Sequence, residues 1–220
     1  MPAKAQSIDL AKLFGSVAST LATNKDSLNK ADTYNHDHGD NMVEIFEVIT
    51  QAMQQKRSAN PADQLAYASQ ILRQRQSGSA QVYAKGLTQA SKEFKGQAVT
   101  TDNAMTLIQT LLGAGQAAPT QAQGGIGGDL LGSLLDGLGG GASTPQAQQD
   151  GSPGIDMGDI LNAGMAYMNT KQRGGSTAEA LINALVQGSA MADSPHRSQS
   201  GALVVNTLLQ TINAMASKRK

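Results

Sequence analysis

Eleven consecutive residues, Asp32-Thr33-Tyr34-Asn35-His36-Asp37-His38-Gly39-Asp40-Asn41-Met42, hold most of the side chains in this 220-residue chain that could do chemistry. They include three aspartates, two of the chain's three histidines, two asparagines and a glycine. Carboxylates crowded onto one loop repel each other unless a cation lies between them. Hard oxygen donors of this kind suit Mg²⁺ or Ca²⁺ better than zinc. His36 and His38 would face the same side of an extended loop. However, the chain has no cysteine and only one further histidine, His196, so the donors for a zinc site are lacking. Gly39 would let the backbone approach a ligand, and the first-turn N–H groups of a following helix would point at a phosphate there. A structural reading stands beside this one: the same residue types form turns and N-caps, with Asp40 or Asn41 capping a helix that runs on from Met42.

Two other places carry polar groups at turns. Gln76-Ser77-Gly78-Ser79-Ala80 is a small-residue turn that allows close approach of backbone or ligand, or else a helix junction with Ser79 as cap. In Asp193-Ser194-Pro195-His196-Arg197-Ser198, the His196 and Arg197 pair could hold an anion or face solvent. The glycine clusters Gly124-Gly125, Gly127-Gly128 and Gly139-Gly140-Gly141 neither follow a strand pattern nor precede a Lys-Ser/Thr pair. Dinucleotide-fingerprint and P-loop readings are therefore rejected. The absence of cysteine also excludes disulfides and thiolate catalysis.

The segments that must position these turns have helical periodicity. Ser7 would cap a first helix carrying the stripe Leu10, Leu13, Phe14, Val17 and Leu21, which would end near Asn24, with a short helical turn around Leu28. Val43, Ile45, Phe46, Ile49 and Met53 form a second stripe. Asn60-Pro61 opens a third helix through Leu65, Ala68, Ile71 and Leu72 to about Gln76. Val82, Tyr83, Leu87, Ala90 and Phe94 form the next, and Thr100 or Thr101 would cap another through Met105, Ile108, Leu111 and Leu112. Further stripes follow at Ile160–Met168 and at Leu181, Ala184 and Leu185, the latter capped by Ser176 or Thr177. The last stripe is Leu203, Val204, Leu208, Ile212 and Met215. Aromatics are 3% of residues, while alanine, glutamine, leucine and methionine are abundant. That composition favours helices packed through small side chains over sheets, so the expected class is all-α.

Residues 113–154 turn to glycine, glutamine, alanine, serine and proline, interrupted by Leu130, Leu131, Leu134, Leu135 and Leu138. The composition predicts a flexible insert with a short amphipathic helix inside one domain spanning 1–220. Lysine plus arginine equals aspartate plus glutamate at 17 each, so no global field draws the protein to nucleic acid or an anionic membrane. With no leader-like start and no apolar run long enough to span a bilayer, a cytoplasmic location is expected.

In order and spacing these pieces resemble the nucleotide-binding L subunit or domain of dihydroxyacetone (glycerone) kinases, and the related domain of fatty-acid kinases. That family has a Leu-Asp pair and then Gly-Asp-Gly-Asp-His-Gly-Thr-Asn-Met. Leu28 to Asp32 and Tyr34-Asn35-His36-Asp37-His38-Gly39-Asp40-Asn41-Met42 are similar to it. The family's Ala-Ser-Gly-Pro-Leu-Tyr/Phe-Gly turn resembles Gly78-Ser79-Ala80-Gln81-Val82-Tyr83-Ala84. Its Pro-Gly-Asp-Lys-Thr-Met and Asp-Pro-Gly-Ala-Thr/Ser elements resemble Arg173-Gly174-Gly175-Ser176-Thr177-Ala178 and Ser194-Pro195-His196-Arg197-Ser198. The resemblance implies an antiparallel helical barrel of about seven or eight helices with ADP or ATP and Mg²⁺ at one end. Asp32, Asn35 and Asp37 would then be metal ligands, and His38, Gly39, Asp40, Asn41, Gly78, Ser79, Thr177, Pro195 and His196 would contact nucleotide. Asn35 stands where the family has a magnesium aspartate, Gly175 or Ser176 where it has another aspartate, and the stretch from Thr177 to Ser194 is shorter than the family's lid.

Two functional expectations follow. One is a Mg·ADP/ATP-binding domain for phosphoryl transfer to a small ketone or other acceptor presented by a protein partner, the domain itself being a candidate homo-oligomer. The other is a catalytically inactive helical interaction or regulatory domain, docking through Leu130 to Leu138.

Overall fold

The computed structural model describes residues 7–113, 169, 177–187, 189, 191–192 and 194–217. Among these the chain is all-helical, with seven helices. They are α1 (Leu10–Ala31), α2 (His38–Gln55), α3 (Pro61–Leu72), α4 (Gly78–Glu93), α5 (Ala104–Leu111), α6 (Thr177–Gln187) and α7 (Pro195–Ser217). The expected insert and the Ile160–Met168 stripe lie outside the described residues.

From α1 to α5 each helix packs on its neighbour in the chain, most extensively α1 on α2 and α3 on α4. Short loops join these pairs, so the partners run antiparallel. α7 returns to pack along α1, with smaller contacts to α2 and α5, and α6 packs on α7. One end of the bundle therefore gathers the α1–α2 loop, the α3–α4 turn and the start of α7. The opposite end holds residues 8–9, 56–61 and 95–103, where Ile8 N–H donates to the Val99 carbonyl at 2.7 Å and Arg57 meets Asp9 at 3.3 Å.

The core joins the apolar stripes into one cluster. Leu13, Phe14, Val17 and Leu21 of α1 meet Phe46, Ile49 and Met53 of α2, with Leu65, Leu87, Leu107, Val204 and Leu208 from the others. Phe14, Phe46 and Tyr83 meet within it, the first pair tilted with ring centroids 6.3 Å apart and the second edge-to-face at 5.0 Å.

Several boundaries differ from expectation. Asp9, not Ser7, caps α1, its carboxylate accepting from Lys12 N–H at 3.2 Å. α1 does not stop at Asn24 but runs unbroken to Ala31, because Leu28 continues the buried stripe one further turn. α2 starts four residues before Met42, at His38. Asn60 caps α3 through Asp63 N–H, with Pro61 at its first position as expected. Asn103, not Thr100 or Thr101, precedes α5, and its side chain accepts from Thr100 N–H at 2.7 Å. α7 begins at Pro195, so His196 and Arg197 lie in its first turn and not on a polar loop.

Candidate functional site

The polar end is built on α1's last two turns. Lys25, Asn29 and Asp32 lie four and then three residues apart, which puts them on one face, and that face meets the start of α2. Asn29 Oδ1 accepts from Gly39 N–H at 2.6 Å and Asp40 N–H at 3.3 Å, while its amide donates to Asp40 Oδ2 at 2.7 Å. Lys25 Nζ lies 3.0 Å from Asp40 Oδ1. A Cβ on Gly39 would collide with the Lys25 carbonyl and with Asn29 Oδ1, so this approach of two helices requires glycine.

Asp32 closes α1 and is buried. Its carboxylate accepts Tyr34 N–H at 3.0 Å, with weaker contributions from the N–H groups of Asp37 and His38. The Tyr34 hydrogen bond is the main cause holding its pKa below the usual carboxylate value, and nearby His196 and the other N–H groups act in the same direction. Asp37 occupies the N-cap position of α2, and its Oδ1 accepts from Asn41 Nδ2 at 2.6 Å. Asn41 N–H closes the first intrahelical bond on the Asp37 carbonyl at 2.9 Å. Asp40 and Asn41 are therefore not the caps of α2. They belong to its first turn, and α1 supplies the acceptors for that turn from across the interface. Asn35 is exposed on the loop. His36 takes a left-handed backbone at φ 58°, and its Nδ1 lies 3.3 Å from the Asn29 carbonyl.

His38 is buried, and its Nε2 lies 2.9 Å from Ser200 Oγ. The Ser200 hydroxyl donates to the Arg197 carbonyl at 3.0 Å, so it accepts from His38, which places a proton on Nε2 of that ring. The His196 ring sits edge-on to it with centroids 4.6 Å apart. His196 Nδ1 is 4.0 Å from Asp32 Oδ1, and its Nε2 is 3.1 Å from Ser194 Oγ. Burial lowers the His38 pKa to about 4, helped by His196 and Arg197 and opposed by Asp32 and Asp37. A Cβ on Gly78, the first residue of α4, would come 2.8 Å from the Arg197 guanidinium. Ser79 is buried in the same turn. Ser77, not Ser79, takes the N-cap position of α4.

Thus Asp32, Asp37, His38, Gly39, Asp40, Asn41, Gly78, Pro195 and His196 gather at one end, where α2, α4 and α7 all begin. Thr177 begins α6, and its side chain lies outside the described residues. Lys25, Asn29 and Ser200 also belong to the cluster, and the sequence motifs do not include them. The four- and three-residue spacing of Lys25, Asn29 and Asp32 is the available signal for the first two, whereas Ser200 gives none. A cavity of about 170 Å³ lies elsewhere, between α3 and α4, lined by Ala66, Ser69, Gln70, Arg73, Thr88 and Ser91.

The donor set does not fit a pair of Mg²⁺ ions. Among the described residues no three His, Cys, Asp or Glu side chains are grouped to hold a metal. One carboxylate oxygen of Asp32, one of Asp37 and both of Asp40 already face protein donors. Comparison of the chain with known protein families, with curated proteins and with solved structures finds no match. Among the described residues no helix is long and apolar enough to cross a membrane.

Proposed function

We propose that the chain is a divergent helical domain of the dihydroxyacetone-kinase L type, binding ADP or ATP through its phosphates at the end where α2, α4 and α7 begin. One observation carries this reading. Three stretches separated by most of the chain, around His38, Gly78 and His196, meet at one place, with His38 and Ser200 in contact across 162 residues. They are the stretches that carry the family resemblance. Helix N-termini favour anions, and the Arg197 guanidinium at Gly78 adds a fixed positive charge there. Phosphoryl transfer to a small ketone or other acceptor held by a partner protein is the activity such a domain would serve. The binding proposed here rests on the N-termini of α4 and α7 and on Arg197, since protein acceptors already take the Gly39 and Asp40 N–H groups of α2 and protein donors engage one oxygen each of Asp32 and Asp37.

That engagement favours a second reading, a catalytically inactive interaction or regulatory domain that keeps the fold. Isothermal titration with ADP and ATP, with and without Mg²⁺, separates the two. Saturable heat that falls at least tenfold in affinity in Arg197→Ala, with the helical circular dichroism retained, supports nucleotide binding. No heat at millimolar nucleotide in either buffer supports the inactive domain.

A further inference from the structure

We infer that the acidic loop of this protein is an internal helix cap with its own built-in cation, and that it holds its shape without a divalent ion. The first-turn donors of α2 are accounted for one by one. Gly39 and Asp40 N–H donate to Asn29 Oδ1 and Asn41 N–H to the Asp37 carbonyl, while Tyr34 N–H in the preceding loop donates to the Asp32 carboxylate, whose charge the N–H groups of Asp37 and His38 also favour. Charge is matched in the same way: Lys25 Nζ sits 3.0 Å from Asp40, and the Asn29 and Asn41 amides sit on Asp40 and Asp37. An acidic cluster awaiting a metal would leave its oxygens facing one another. Here each carboxylate faces a donor supplied by α1, by α2 or by the loop itself. The residues assigned this positioning role are Lys25, Asn29 and Asp32.

The two arrangements predict opposite signs for the same substitution. In a metal-poised cluster, removing one carboxylate charge in metal-free buffer relieves repulsion, so stability rises or stays level. In a cap, it removes a charged acceptor from the part-buried Tyr34 N–H, so stability falls. The experiment is thermal unfolding of the full chain in EDTA and in millimolar MgCl₂, for wild type, Asp32→Asn, Asn29→Ala and Lys25→Gln. The expected result is a lower Tm in EDTA for Asp32→Asn and Asn29→Ala, by roughly 2–4 °C or more each. Lys25→Gln, an exposed change that should fold, shows a smaller loss, and Mg²⁺ leaves the wild-type Tm where it was. Either of two results overturns the inference: an Asp32→Asn Tm in EDTA equal to or above wild type, or a saturable rise of wild-type Tm with Mg²⁺ that Asp32→Asn abolishes. No nucleotide is present, so the outcome is separate from the titration that tests nucleotide binding.

Discussion

Three buried polar side chains have effects that can be measured at the scale of single residues. His38 is neutral in the fold with its pKa lowered to about 4, while the unfolded chain titrates near 6.5. Below 6.5 the unfolded state takes up a proton that the folded state refuses, so stability is full above about 6.5 and declines as pH falls toward 4. The loss should be on the order of 3 kcal/mol by pH 4. His38→Gln can still donate to Ser200 but cannot titrate, and urea melts between pH 7 and 4 should show a flatter dependence for it than for wild type. Asp32 adds a second, more acidic decline, because its lowered pKa gives stability that is lost as pH falls through the folded value. Tyr83 is the third case: its hydroxyl is fully buried without a hydrogen-bond partner among the described residues, and burial pushes its pKa up. Tyr83→Phe removes an unsatisfied polar atom and keeps the ring on Phe46, so it should raise unfolding free energy by about 1 kcal/mol in a denaturant titration.

Between elements, the decisive contact is α1 against the start of α2. Gly39 is where the backbones touch, and its missing side chain lets Asn29 reach two N–H groups at once. Gly39→Ala drives a methyl into the Lys25 carbonyl, which belongs to a helix and cannot swing aside. The expected cost is about 2 kcal/mol or more, read as a lower denaturation midpoint at unchanged m-value. The acidic run was legible in the sequence as a place where charge had to be managed. What manages it was not legible, because the cation and an amide donor come from the preceding helix and a further donor from the loop backbone. Lys25 and Asn29 look like ordinary solvent-facing residues until α1 is seen to continue past Asn24.

For the whole molecule, stability rests on the apolar cluster and not on ion pairs. Lys25–Asp40, Arg57–Asp9 and Arg75–Glu44 are all substantially exposed, and exposed pairs contribute about 0–1 kcal/mol each. Phe46 is fully buried between Phe14 and Tyr83. Equilibrium urea unfolding should therefore show Phe46→Ala losing about 3–5 kcal/mol, with the Arg57→Ala and Arg75→Ala double variant losing under about 2.

The sequence by itself determined the helical class and most of the core. Apolar spacing is a local property, and a stripe such as Leu10, Leu13, Phe14, Val17 and Leu21 has few other ways to be buried. It also marked the three polar stretches. Only the tertiary structure decided that those stretches share one end of the bundle, that Ser200 lies against His38, and that the aspartates accept from Lys25, Asn29, Asn41 and backbone N–H groups. The physical reason is that a carboxylate's role is set by which donors reach it within about 3 Å. Here most of those donors belong to other helices or to the backbone, whose positions no local pattern encodes.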